Sequence, residues 1–354
     1  MPGEAGGVGR KVLGPLRRTG AHSDRRLDTC PAGWTDLPIR YLMRSYYRVM
    51  LGKKSTRAEM CLKGGFIGAD FGVALDLSDS LGLDWKEFGR NVAPVYAANR
   101  PDKSKIAAGL ACGALWTIGK GMQAGDIVLA PDGEGSYRAG EVIGDYAYAA
   151  GEPIPHRRPV RWLDVVIPRQ TMSEGLLGSA SVPLTVVGPK AITAYAEEIE
   201  MLIVAGPANP TSLPEPDQPS TESSFALEKH LEEFLVSNWK STELGQEYDI
   251  YDDGDGLVGQ QLQTDTGPLD ILAISKDKRR LLVVELKKGR AADAVVGQVL
   301  RYMGYVKEEL AEANQTVHGV VIARDDDTRL QRALSMAPSV SFYRYQVSFR
   351  LHKG

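Results

Sequence analysis

The chain has 354 residues, enough for two ordinary domains, and its 43% hydrophobic and 25% charged residues let each bury a core without disulfides or a structural metal. A net charge of −3 argues against a large non-specific grip on nucleic acid, although carboxylates gathered in a site offset basic patches elsewhere. Cys30, Cys61 and Cys112 form no CxxC pair and lie near no histidine at ligand spacing, which excludes a zinc site and fits reduced thiols in a cytoplasmic protein; no apolar run or signal core points to a membrane or to secretion.

In chain order, residues 1–42 are rich in Gly and Arg without periodicity and read as a disordered extension. Two readings stay open for it: a basic arm for nucleic acid, or a stretch without function upstream of Met43. Residues 43–205 read as a first domain. Gly125–Leu129 and Tyr137–Ile143 are strand-like and separated by glycine, the pattern of a small, curved sheet or barrel, with helical stretches at Trp85–Phe88 and Ile192–Ile203. Residues 206–224 carry five prolines and almost no large apolar side chains, and read as an extended linker.

Residues 225–354 read as a second domain. Leu227, Leu231, Phe234 and Leu235 have the spacing of an amphipathic helix. Leu269–Ser275 and Arg280–Leu286 read as strands joined by the polar turn Lys276–Lys278, followed by a helix over Ala291–Leu310 and a strand over Val317–Ala323. The expected fold class is therefore mixed α+β, a curved β-barrel with helices followed by an α/β domain.

Asp270 opens the first strand of this pair, and Glu285 and Lys287 stand two residues apart on the second. A strand repeats every two residues, so Glu285 and Lys287 share a face, and the hairpin brings Asp270 beside them. Glu285 follows directly on the apolar run Leu281–Val284, where a carboxylate is costly unless paired or metal-bound. Two carboxylates and an ammonium are what metal-dependent phosphodiester cleavage needs. The carboxylates offer hard oxygen ligands to Mg²⁺ or Mn²⁺, and the lysine can orient or deprotonate water.

This segment resembles the nuclease domain of the NucS (EndoMS) family, within the PD-(D/E)XK superfamily. The matching pieces are Glu228-x-x-Leu231, Leu269-Asp270-Ile271-Leu272-Ala273, Val284-Glu285-Leu286-Lys287-Lys288-Gly289 and Gln298-x-x-Arg301-Tyr302, in that order. The resemblance implies that Glu228 is a further metal-site carboxylate and that Gln298 points into the site. Lys288 and Arg290 are candidate contacts to the phosphate backbone.

The first domain differs from the DNA-binding, dimerising module of NucS. Ala114-Leu115-Trp116, Gly125–Val128, Gly140–Tyr148 and His156–Trp162 together resemble PUA-like or EVE-like domains fused to restriction enzymes. Such domains bind nucleic acid, and several hold a flipped, modified base in an aromatic pocket. That resemblance makes Trp116, Tyr146, Tyr148 and Trp162 base-binding candidates. His156, Arg157, Arg158 and Arg161 are candidates for gripping phosphates.

The expectation is an Mg²⁺-dependent endonuclease acting on DNA, notably modified double-stranded DNA, in a restriction role. A mismatch or branched-DNA repair nuclease is the alternative, and a non-cutting nucleic-acid-binding protein a second. Cutting both strands is easiest for a homodimer, although no dimer motif is visible.

Overall fold

The computed structural model describes residues 44–205 and 231–346. The extension at 1–42 with Cys30, the linker at 206–224 and the metal-ligand candidate Glu228 lie outside the described residues. Among the described residues, no helix is long and apolar enough to cross a membrane.

The architecture is mixed α+β, with one curled sheet in each half of the chain. The first sheet has seven strands in the order β2-β6-β4-β3-β1-β7 (Phe66–Ala69, His156–Pro168, Ser136–Val142, Ile127–Pro131, Tyr46–Val49 and Val186–Val187), with β5 (Ala147–Tyr148) pairing β6. Its curl is carried by β6, whose 13 residues pair β2 and β5 at one end and β4 along the rest. The register slips between Arg138 and Gly140 on β4, an irregularity that bends a strand and raises its twist. The arginine-rich stretch at 156–161 thus lies within a strand.

Alternate residues of β1 face opposite ways. Tyr47 and Val49 join one core, whereas Tyr46 joins another beneath the helix Glu174–Ser181. Arg48 is fully buried, and its guanidinium donates to the carbonyls of Val182 and Leu184. The helix expected at Trp85–Phe88 is the start of a longer one, Trp85–Asn99, capped by the Asp84 side chain. The helix Lys105–Trp116 has no counterpart among the sequence-based expectations. Its alanines and glycines give it an apolar surface nearly all round.

The second sheet has the order β13-β12-β11-β10-β8 (Val340–Arg344, Thr316–Asp325, Arg280–Arg290, Gly267–Ser275 and Tyr248–Ile250), with β9 (Gln260–Thr264) pairing β10. The expected hairpin is present: Ile271 pairs Val284 and Ile274 pairs Leu281, antiparallel. Lys278, at φ 61°, closes its turn and donates its N–H to the Ser275 carbonyl. Beyond the hairpin the sheet turns parallel through β12 and β13. One face packs on the helix Ala294–Tyr305, the other on Leu231, Leu235 and Trp239.

The two halves share one core. Leu77, Phe88 and Leu115 from the first belong to the same buried cluster as Leu272, Val299 and Leu310 from the second. The joint is the Lys105–Trp116 helix, where Gly109 and Gly113 lie one turn apart. A Cβ at Gly109 would stand 2.6 Å from Leu310, and one at Gly113 would stand 3.4 Å from Gln263, so the missing side chains permit the approach. Around this seam Trp85 Nε1 donates to the Tyr305 hydroxyl (3.2 Å) and Ser104 bonds Tyr251 (2.7 Å). Lys103 bridges Asp255 (2.6 Å) and Asp253 (3.3 Å).

Candidate active site

Asp270, Glu285 and Lys287 meet where the β10–β11 ladder opens. Regular pairing ends at Ile271–Val284, and one step further in the same register Asp270 stands opposite Glu285. Here the Asp270 carboxylate takes over from main-chain pairing and accepts the Leu286 N–H at 2.9 Å. Glu285 is 2% exposed; its Oε1 accepts from Lys287 Nζ at 2.7 Å, and its Oε2 is buried with no hydrogen-bond partner.

The electrostatics follow from that burial. Desolvation, with Asp270 as the next contributor, raises the Glu285 carboxyl from its ordinary 4.5 to about 7, against the opposing pull of Lys287 and Lys190. Asp270 is also raised, by desolvation, and is held down in part by the Leu286 N–H, Lys190, Lys287 and Gln261. A carboxyl that stays protonated in the fold but ionises in the unfolded chain removes stability as pH rises from about 4.5 towards 7. We therefore expect Glu285→Gln to stabilise chelator-treated protein at pH 8, by up to about 3 kcal/mol, and to do little at pH 4. Thermal melts at the two pH values check this, and equal shifts in both would remove burial of the charge as the cause.

Two residues that no sequence motif marks also bear on the two carboxyls. Gln261 donates its amide to Asp270 Oδ1 (3.2 Å) and to Glu232 (2.7 Å), and it holds φ 48°, a backbone region unusual for a side-chain-bearing residue. Lys190, from the first half, acts electrostatically on both carboxylates. Gln298 lies on the Ala294–Tyr305 helix and donates to the Tyr302 hydroxyl (3.2 Å), which in turn donates to the Pro268 carbonyl (3.0 Å). Gln298 thus reaches β10 through Tyr302. Lys288 is half-buried with its carbonyl bonded by Tyr345, and Arg290 is exposed past a register shift in β11.

The residues singled out in the first half do not form one cluster. An open cavity of about 380 Å³ has Tyr146, Arg158, Asp145, Lys120 and Gln123 in its wall. The Tyr146 hydroxyl is joined to His156 Nδ1 (2.8 Å). Arg158 is 3% exposed, donates to the Gly119 carbonyl (2.6 Å) and leaves its Nε without a partner. Trp116 lies elsewhere, edge-on to Trp85 and Phe88 at the seam. Trp162 packs over Gly140 and donates to the Cys61 carbonyl (3.2 Å). Tyr148 rests on His156, which is fully buried. Arg157 lies over the Phe66 ring, and Arg161 pairs with Glu141 on the surface. Cys61 and Cys112 are free thiols, raised by burial to about 11 and about 12.

Comparison with known proteins gives a family match in each half of the chain. Residues 237–338 match the endonuclease NucS C-terminal domain, so the second half carries a NucS-like nuclease domain. Residues 47–176 match a domain of unknown function, DUF8426. Among solved structures, the chain is similar to an EndoMS–double-stranded DNA complex (15% identity, 60% of this chain and 62% of that one, TM-score 0.29). It is similar also to a repair endonuclease from Pyrococcus abyssi (14%, 61% and 66%, TM-score 0.27). A third is the MspJI restriction endonuclease in complex with a 27-mer oligonucleotide (10%, 84% and 73%, TM-score 0.20). The chain spans less than two thirds of the length of the first two. No curated protein matches it.

Proposed function

We propose that the protein is a DNA endonuclease whose second half hydrolyses the phosphodiester backbone through Asp270, Glu285 and Lys287. The observation that carries the reading is the buried Glu285 carboxylate, with one oxygen on Lys287 and the other without a partner, opposite Asp270. An unpartnered buried carboxylate oxygen is costly, and a cation is the partner that such a pair of hard donors fits. Mg²⁺ or Mn²⁺ suits two carboxylates, since Mg²⁺ is commonly held by one or two of them plus substrate phosphate and water. Asp270 and Glu285 would hold the ion, which when bound supplies Lewis-acid stabilisation of charge on the phosphate. Lys287 reaches the same point from β11 and orients the attacking water or offsets charge developing on the phosphate. Gln261 fixes the Asp270 carboxylate through Oδ1 while the Leu286 N–H holds Oδ2.

For the first half we propose recognition of a DNA feature, with a modified base in double-stranded DNA as the leading case and restriction as the role. Support comes from the cavity beside Tyr146, which has room for a base and offers both charged and amide groups for its edge. The PUA-like reading of the curled sheet belongs to the same proposal. The test is a panel of matched plasmids, unmodified, cytosine-modified and mismatch-containing, incubated with Mg²⁺, Mn²⁺, Ca²⁺ or chelator. We expect cutting of the modified plasmid with Mg²⁺ or Mn²⁺, poor cutting with Ca²⁺, and loss of the preference in Tyr146→Ala. Preference for the mismatched plasmid would replace restriction by repair, and full activity in chelator would end the metal reading.

A further inference from the structure

One loop of the second half is held by the first, and its chain runs on to the nuclease site. Residues 252–258 follow β8 and lead to β9, closed at the base by a bridge between Asp252 and Val258. Inside the loop the Asp253 carboxylate accepts the N–H groups of Asp255 (2.8 Å) and Leu257 (3.0 Å), which fixes its shape. The first half meets it from two sides. Lys103, in the turn before the Lys105–Trp116 helix, places its ammonium 2.6 Å from the Asp255 carboxylate, 3.3 Å from that of Asp253 and 3.0 Å from the Asp253 carbonyl. On the other side, a Cβ on Gly256 would stand 3.5 Å from Thr185 Oγ1 and 3.9 Å from the Pro183 carbonyl oxygen.

The Lys103 and Asp253 side chains are only 13% and 2% exposed. A buried ion pair returns little net stability after desolvation, and its best use is to select one geometry. That geometry continues towards Asp270. After the loop, Gly259 donates its N–H to the Tyr251 carbonyl (2.8 Å) and accepts the Leu272 N–H (2.6 Å). A Cβ on Gly259 would stand 2.3 Å from the Leu272 carbonyl oxygen, so backbone meets backbone there without slack. Two residues on, Gln261 takes φ 48° and donates its amide to Asp270 Oδ1 at 3.2 Å. A backbone angle of that kind persists only where the surroundings hold it, and the clamped loop is what leads into it.

We propose that Lys103 is a positioning residue of the nuclease site. From the first half it clamps the 252–258 loop, and through β9 it keeps the Gln261 amide on the Asp270 carboxylate. The inference rests on the nuclease reading above. It makes the rate of cutting depend on the first half being in place, separately from any part that half plays in recognising DNA.

The test uses the full chain and one duplex that the wild type cuts. Lys103→Met removes the charge and keeps most of the stem, Asp255→Asn loosens the same clamp from the loop, and Gln261→Ala removes the amide. Single-turnover cleavage at saturating duplex with Mg²⁺ should slow roughly 10- to 100-fold in Lys103→Met and less in Asp255→Asn, while affinity for the duplex in chelator is unchanged. Combined with Gln261→Ala, neither should slow cutting further, because the amide through which they act is gone; a merely structural loss would add. In chelator, amide hydrogen exchange in Lys103→Met should quicken in the loop and β9 and keep the wild-type rate in β11. Rates are compared at a temperature where circular dichroism shows each variant folded. Asp255→Asn changes a residue with 40% side-chain exposure and keeps the test decisive if Lys103→Met does not fold. Wild-type cleavage rates in the folded clamp variants, or losses that add to that of Gln261→Ala, overturn the inference and leave the nuclease reading intact. A wild-type chain that cuts none of the plasmids overturns both.

Discussion

Replacing Glu285 by Ala is expected to abolish DNA cleavage, with a fall in kcat of at least about 10³-fold, while binding of the duplex in chelator is retained. In the proposed mechanism Glu285 would contribute a ligand oxygen, and it also anchors the Lys287 ammonium, so its removal disables two groups at once. Asp270→Ala should act similarly, because it also frees the Leu286 N–H and the Gln261 amide. Lys287→Ala should lose the same order of activity with both carboxylates in place. The three losses should not add in double variants, as expected of groups that act as a unit. Single-turnover cleavage of one plasmid substrate measures all of them, and a Glu285→Ala variant cutting at the wild-type rate would sink the assignment.

Trp85→Ala is expected to cost about 3–5 kcal/mol of folding stability and to lower the unfolding midpoint of both halves together. The ring meets Phe88 and Trp116, and its indole N–H donates to Tyr305 of the second half. Truncation leaves a void on one side of the seam and a hydroxyl without its donor on the other. Denaturant unfolding followed by circular dichroism should show a single transition moved to lower denaturant. Two separate transitions, only one of them moved, would mean that the halves fold independently.

Much of the carboxylate site was legible because it is local. Asp270, Glu285 and Lys287 lie on one hairpin, where the two-residue repeat alone sets which side chains share a face. What lies around it was not legible, because it depends on contacts far apart in sequence. Gln261 reaches Asp270 from β9 and is itself held by Glu232, which lies well before the first strand of that sheet. The first half shows the same divide. Its strands at 127–131 and 136–142 could be read from their apolar runs and glycines, but the Lys105–Trp116 helix lacks a polar face and gives no helical period. The four aromatic candidates were alike in sequence, and only packing separates Tyr146 at the cavity from Trp116 at the seam.

Gly109 and Gly113 also bear on how such a chain can be recombined. A chimaera that keeps 44–205 and takes its second half from another protein inherits a helix face shaped for Leu310 and Gln263. Any donor with bulkier side chains at those places meets bare backbone with nowhere to yield, and one with smaller side chains leaves a gap along the helix. Exchange of either half therefore succeeds only when the facing positions travel with it. The two halves are thus fitted to each other along that helix face.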